Sequence, residues 1–573
     1  MQMRNKTLTN YFLCLLTAGA VLFATPARSA NVSPKLVLQI TVDQLRGDLP
    51  DRYMKNMGKG GFRYLMNQGV WYANANYTHA NTETIVGHTI LATGAQPSVN
   101  GMIGNVWFDR ETGKLTYNVE DAKYRSLTAG AGVDKATEMD PTQKVASTDG
   151  RSPTAILVST LSDELASNTA GKSKVFGVSI KDRGAVSMAG HAGKAFWFSK
   201  KSAEFITSSY YYDRYPSWVD TWNKKKLPHS YAGKSWQLMH DKSTYLFGAA
   251  DDQAWEVELP GYGRVFPHPF GGADGKLFTT LLTFSPVGDE LTLDFAKTLI
   301  DAEQLGQDDV PDYLSVSFSS TDYVGHAFGP SSLEAEDNLL RLDRTLADLF
   351  AYIDKRVGLK NTLIVLSADH GAPEAPGYLN SLGIESKYVT PDKWDKTPAI
   401  KALKQKLGIG REIIKTYYHP YLYLDRDVIR KKGLNQAEVE KAVAEELMKF
   451  DDVTLAISSS ALREGNLPSS PAIQAVLRNF HPKRSGDIYL VFKSNQFISD
   501  FDGTRVSVTH GSPWRYDSFV PVVFAGGKLS GRRIFRSVEP ADIAPTLAAV
   551  LGIKAPSGAR GLPLDEVMHA FKK

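Results

Sequence analysis

The chain of 573 residues carries 66 Lys and Arg against 62 Asp and Glu, with 42% hydrophobic and 22% charged residues. That balance belongs to a globular protein and excludes a disordered chain, a collagen, a coiled coil or a polytopic membrane protein. A single cysteine excludes a disulfide framework and any zinc cluster built on cysteines.

Residues 1–30 read as a secretory signal. Arg4 and Lys6 supply the charged start and Tyr11 to Ala24 an apolar run. ATPARSA follows as a small-residue stretch, with cleavage expected near Ala27 to Ala30. The run falls short of the roughly 20 apolar residues that span a bilayer; the alternative is an uncleaved N-terminal anchor. Cys14 sits inside the run and follows no lipobox, so no lipoprotein is expected. Losing Arg4, Lys6 and Arg28, and no acid, takes the net charge from +4 to +1. A near-neutral mature chain gives no support for a nucleic-acid partner. Export without cysteines fits a bacterial envelope protein, periplasmic or secreted, with no stable membrane partner.

Six apolar, β-branched runs read as buried strands: 36–42 (LVLQITV), 174–180, 313–318, 362–367, 488–492 (IYLVF) and 520–526. Helical spacing lies over 153–168, 332–357 and 541–553, the last stopping at Gly552. The alternation predicts an α/β fold, a mostly parallel central sheet with helices on both faces. Two stretches break the rhythm. Residues about 195–295 are rich in Trp, Tyr, Gly and Lys. Residues about 374–505 hold helices such as AEVEKAVAEELMKF between segments that read as core. Both are expected to be insertions on the functional rim of one domain spanning 31–573.

Three strand runs lead into an acid. LVLQITV leads to Asp43, YLSVSFSST to Asp322 with His326 four residues on, and TLIVLSA to Asp369-His370-Gly371. Ligands of open α/β sheets sit outside the carboxyl ends of the strands, so three strands bring carboxylates to one rim. Any one of these Asp residues, taken alone, also reads as a helix N-cap. His510, in Thr509-His510-Gly511-Ser512-Pro513, supplies a third imidazole. Mixed carboxylate and imidazole donors suit zinc. Two metals roughly 3.5–4 Å apart can stabilise the attacking and leaving oxygens of a phosphoryl displacement.

The segment 76–105 reads NYTHANTETIVGHTILATGAQPSVNGMIGN, with a short helix expected over 85–92. Thr84 at its start is, on those residues alone, an ordinary cap. The segment resembles the nucleophile motif of the alkaline phosphatase superfamily, and Met102-Ile103-Gly104-Asn105 matches its downstream turn. With Asp43, Lys181-Asp182-Arg183, Asp322, His326, Asp369-His370 and His510 in that order, the chain resembles the PafA-type bacterial alkaline phosphatases, which are exported phosphate monoesterases.

The resemblance implies a two-zinc site. Asp322, His326 and His510 hold one zinc; Asp43, Asp369 and His370 hold the other, completed by Thr84. Thr84 is then the nucleophile and carries a phospho-threonine intermediate. The Ile85 amide is expected to donate to a phosphoryl oxygen, Asn105 to donate another hydrogen bond, and His88 to be local packing. Lys181 and Arg183 otherwise read as a solvated surface pair; under the resemblance they grip a monoester dianion. They also stand in for the charge of a third, magnesium site, which is not expected. Small-molecule phosphate monoesters are the expected substrates, and a monomer the expected state. Tyr210-Tyr211-Tyr212 and Trp218 either line the leaving-group approach or pack the first insertion. The alternatives are a nucleotide pyrophosphatase/phosphodiesterase-type hydrolase and a non-catalytic, metal-containing phosphate-binding envelope protein.

Overall fold

A computed structural model describes residues 33–389, 394–498 and 506–571. The signal-like segment 1–30 lies outside the described residues. Nine strands form the central sheet: β1 (Leu36–Val42), β2 (Val70–Asn76), β3 (Val175–Ser179), β4 (Lys194–Ser199), β5 (Glu204–Ile206), β6 (Asp312–Phe318), β7 (Thr362–Ser367), β12 (Phe519–Gly526) and β13 (Arg532–Ile534). Their order is β13-β2-β12-β7-β1-β6-β3-β4-β5. The five central strands from β7 to β4 run parallel. β12 enters antiparallel to both β7 and β2, and β5 antiparallel to β4.

Alternation along β1 explains its unbroken apolar run. Leu36, Leu38, Ile40 and Val42 face a core shared with α4 (Val287–Glu303) and α6 (Leu333–Arg356). Val37 faces the opposite core, shared with α2 (Leu161–Asn168) and α8 (Ile543–Leu551). A parallel strand covered on both faces has no polar side to show. Helices therefore cover both faces, as expected.

Several boundaries differ from the sequence reading. The helix expected over 153–168 begins only at Leu161, because Thr160 and Asp163 form a reciprocal capping box there. The 541–553 helix shortens to α8 behind a 3-10 turn at Pro540–Asp542. Residues 195–206, expected in the first insertion, pair into the central sheet as β4 and β5. IYLVF is buried but stays out of the central sheet. It is β11 (Ile488–Phe492) of a four-stranded sheet with β8 (Ile414–Tyr418), β9 (Tyr421–Leu424) and β10 (Val453–Ser458), order β8-β9-β11-β10. Ile488, Leu490 and Phe492 pack a local core with α7 (Gln436–Leu447), while Tyr489 and Val491 face the main core. Two-sided burial gives the same continuous apolar signature in either sheet. Among the described residues no helix is long and apolar enough to cross a membrane.

Candidate active site

The parallel strands deliver the site. Asp43 follows β1 directly, Lys181 and Arg183 follow β3, and Asp369 and His370 follow β7. Asp322 and His326 lie on α5 (Ser320–Phe328), one turn beyond β6. Because β7, β1, β6 and β3 are neighbours, their C-terminal ends converge on one rim. His510 comes from the loop before β12, and Thr84 opens α1 (Thr84–Thr93), a wholly buried helix. Helix α1 passes so close to Asp369 that a Cβ at Gly87 would lie 1.9 Å from the Asp369 carbonyl oxygen.

All three expected imidazoles are oriented the same way. Nδ1 of His326, His370 and His510 bonds the carbonyl of Val508, Gly371 and Thr82 at 2.8, 3.0 and 2.8 Å. A carbonyl only accepts, so Nδ1 carries hydrogen and Nε2 is the atom that meets the carboxylates. His326 Nε2 and His510 Nε2 lie 3.2 and 3.4 Å from Asp322 Oδ1. His370 Nε2 lies 3.4 Å from Asp43 Oδ1 and 3.6 Å from Asp369 Oδ2. Such backbone-anchored histidines are the usual arrangement behind a metal.

Two donor clusters result. The ligand atoms of Asp322, His326 and His510 fall within 4.8 Å of one another, as do those of Asp43, Asp322 and His370. The second cluster closes with Asp322, and Asp369 stands just outside it. Asp43 Oδ1 and His370 Nε2 are buried without a hydrogen bond. Buried polar atoms left so are costly unless something binds them. Oxygen and imidazole donors of this kind fit divalent cations.

Lys181 is fully buried, its Nζ 2.7 Å from Asp43 Oδ2 and 2.5 Å from Asp322 Oδ2. Burial raises both acids, but His326 and Lys181 hold Asp322, and chiefly Lys181 holds Asp43, well below the usual carboxylate range. Lys181 thus lies against the carboxylates, while Arg183 reaches toward the Thr84 hydroxyl. Arg183 Nη2 stands 3.4 Å from Thr84 Oγ1. Its Nη1 lies 2.9 Å from Asp140 Oδ2 and donates to Tyr117 Oη at 3.3 Å.

The Ile85 amide does not face an open pocket. It donates to Asn105 Oδ1 at 3.1 Å, and the Asn105 amide in turn donates to Glu83 Oε2 at 2.7 Å. Burial pushes the Glu83 carboxyl up to about 7 despite the donors from the Asn105 main chain and the Asn81 side chain. His88 does more than pack: its Nδ1 lies 2.9 Å from the Thr84 carbonyl and 3.0 Å from Asp369 Oδ2. Sequence reasoning missed Asp140, Glu83 and Tyr117. Glu83 adjoins Thr84, but no motif marks it, and Asp140 caps a single helical turn, Pro141–Lys144, too short to show a periodicity.

Thr84, Asn105, Arg183, Asp322, His326 and His510 line one pocket of about 60 Å³. Met139, Val257, Leu259 and Phe284 form its apolar wall. A second cavity of about 400 Å³ shares Glu83, Thr142, Thr509 and His510 with it, and reaches Tyr417 and Phe492. Tyr212 and Trp218 pack on Phe196, and Tyr211 is buried, so the aromatic run belongs to the core.

Residues 37–513 match the type I phosphodiesterase / nucleotide pyrophosphatase family. The chain is 36% identical over 538 residues to alkaline phosphatase PafA of Elizabethkingia meningoseptica, spanning 93% of this chain and 94% of that protein. It is 35% identical over 556 residues to a Myroides odoratus protein named a calcium-transporting ATPase, spanning 96% and 97%. It is 34% identical over 538 residues to alkaline phosphatase PhoV of Synechococcus elongatus, spanning 93% of each. The crystal structure of wild-type PafA superposes with a TM-score of 0.84 at 35% identity, over 93% of this chain and 99% of that one. A PafA variant altered at a threonine, an asparagine, a lysine and an arginine superposes equally well. The chain belongs to the type I phosphodiesterase / nucleotide pyrophosphatase family, beside the PafA and PhoV alkaline phosphatases, and is a phosphomonoesterase.

Proposed function

We propose that this phosphomonoesterase works at a two-zinc centre through a phospho-threonine at Thr84. The observation that carries the reading is the convergence of Thr84, Arg183 and Asn105 on one pocket with Asp322, His326 and His510. The PafA variant strengthens it: its altered Thr and Asn, and its altered Lys and Arg, have the sequence separations of Thr84 and Asn105 and of Lys181 and Arg183.

Asp322, His326 and His510 would hold one zinc, and Asp43, Asp369 and His370 with Thr84 the other. Bound there, zinc supplies Lewis-acid stabilisation of charge on the attacking and leaving oxygens. Arg183, 3.4 Å from Thr84 Oγ1, favours the deprotonated hydroxyl and meets the anionic oxygens of the ester. Thr84 Oγ1, its proton given up to solvent, forms the new bond to phosphorus while the ester P–O bond breaks, and the leaving oxygen takes a proton from solvent to depart as the alcohol. Asn105, with Oδ1 held by the Ile85 amide, offers Nδ2 to the transferred group. Water then releases phosphate from Thr84. Lys181 and Arg183 supply the positive charge that a third, magnesium site would bring, and no such site is proposed. We further propose export after removal of residues 1–30, to the periplasm or beyond, and action as a monomer.

The test compares kcat/KM for a phosphate monoester and a diester sharing one leaving group, on zinc-loaded protein. A monoester preference lost in Thr84→Ala and much reduced in Arg183→Ala supports the reading. A diester preference indifferent to Arg183 overturns it in favour of phosphodiesterase action. Bound zinc without turnover overturns it in favour of a phosphate-binding protein.

A further inference from the structure

Gln44 follows Asp43 at the exit of β1 and has φ +67°. Few residues other than Gly, Asn or Asp adopt that left-handed backbone. Strain of this kind persists where surrounding contacts over-determine it, and it clusters at functional sites. Here the contacts are specific. The Gln44 amide N–H donates to Asp369 Oδ1 at 3.1 Å, and the side-chain Nε2 donates to Asp322 Oδ1 at 2.8 Å. Both acceptors are carboxylates, so the donor roles are fixed by chemistry. Gln44 is 2% exposed.

A second feature meets it from the other side. Gly325 lies on α5 between Asp322 and His326. A Cβ at Gly325 would lie 1.7 Å from Gln44 Oε1. The helix that carries two of the site residues thus leaves its side chain off at the one place where the Gln44 amide lies against it. Among the described residues, Gln44 is bonded to one acid from each half of the centre: Asp322 after β6 and Asp369 after β7.

We propose that Gln44 is a positioning residue that fixes the Asp322 and Asp369 carboxylates relative to each other, so that both metal sites form at one spacing. The proposal rests on the metal-centre reading above. Its main-chain half serves Asp369 and its side-chain half serves Asp322, so the two halves can be separated. Gln44→Gly keeps the N–H and tolerates the left-handed backbone, but removes the donor to Asp322. Gly325→Ala keeps Gln44 and forces its flexible amide away from Asp322. In a helix Ala is also favoured over Gly, so this change does not weaken α5 itself.

The experiment is a chelator-competition titration of zinc on each full-length protein, with thermal unfolding of the metal-free forms alongside. Wild type is expected to take up two zinc ions. Both variants are expected to lose about 10–100-fold in affinity for one of them, as for other residues that orient ligands. The other affinity and the unfolding midpoint stay unchanged. Wild-type affinities at both sites in Gly325→Ala overturn the proposal. So does an equal loss at both sites with a lowered midpoint, which is plain fold damage. No zinc uptake by wild type overturns the metal-centre reading itself, and this proposal with it.

Discussion

The main-chain amide of Ile85 donates to Oδ1 of Asn105 at 3.1 Å. The helix-start donor that α1 offers to an anion is therefore spent on orienting a side chain. With Oδ1 occupied, Nδ2 of Asn105 is the end that faces the pocket. Asn105→Ala is expected to lower kcat/KM for a phosphate monoester by roughly 100–1,000-fold, the range for losing one preorganised donor. Asn105→Asp keeps an acceptor for Ile85 but sets a carboxylate against a dianion, so it is expected to fall further. Steady-state kinetics at saturating zinc check both. An Asp variant as active as the Ala variant would contradict this orientation.

Asp140 holds Arg183 from behind, with Oδ2 2.9 Å from Nη1. It is 7% exposed, so the pair is screened little by solvent. Removing one partner of a buried pair leaves the other free to move and poorly paired. Asp140→Ala is expected to cost about tenfold or more in kcat/KM. That loss runs through Arg183, so it is expected largely to vanish when Arg183→Ala is already present. A double-mutant cycle on the monoester decides it: full additivity of the two losses would mean that Asp140 acts elsewhere.

The parts of the site legible in the sequence are those that ride on strands. Asp43, Asp322 and Asp369 follow apolar runs whose parallel pairing fixes their common rim, so strand reading finds them. Gln44, Glu83 and Asp140 act through individual hydrogen bonds and ion pairs, and no periodicity encodes a partner 278 or 325 residues from Gln44. The Ile85 amide was readable as a helix-start donor but not as one already taken. The same limit applies to β11, whose apolar run marks burial on two faces without naming the sheet it joins. The capping box at Thr160 and Asp163 was present in the sequence, yet the apolar residues upstream of it imitate a longer helix.

Asp289 makes a pH prediction with a definite sign. It lies in the first turn of α4, 1% exposed, and its Oδ1 accepts from the Ser320 amide at 3.1 Å. Burial pushes its carboxyl up to about 7, from 3.8 in the open chain. A group that binds its proton more tightly when folded favours the folded state at low pH. Below about pH 4 both states hold the proton; between 4 and 7 the unfolded chain releases it first, and stability falls. Asn keeps the acceptor for Ser320 and never ionises. Asp289→Asn is therefore expected to match wild type near pH 4 and to be the more stable protein at pH 8. Urea unfolding of the metal-free proteins at the two pH values checks this, and a constant difference between them would rule the carboxyl out as the cause.

His88 links the nucleophile helix to the acid after β7. Its Nδ1 faces two acceptors, the Thr84 carbonyl at 2.9 Å and Asp369 Oδ2 at 3.0 Å, so that nitrogen carries a hydrogen. Nε2 lies 2.9 Å from Ser317 Oγ, whose hydroxyl can donate to it. The ring is fully buried. His88→Ala strips Ser317 and Asp369 of a buried partner, at about 1–3 kcal/mol for each group left unpaired. Asn at 88 can return a donor toward Asp369 from a side chain of similar reach, so His88→Asn is expected to recover part of both stability and kcat/KM. If the role were packing alone, His88→Leu, which fills the site without a donor, would recover at least as much as His88→Asn. Unfolding free energies and monoester kinetics of the three variants, measured together, separate these outcomes.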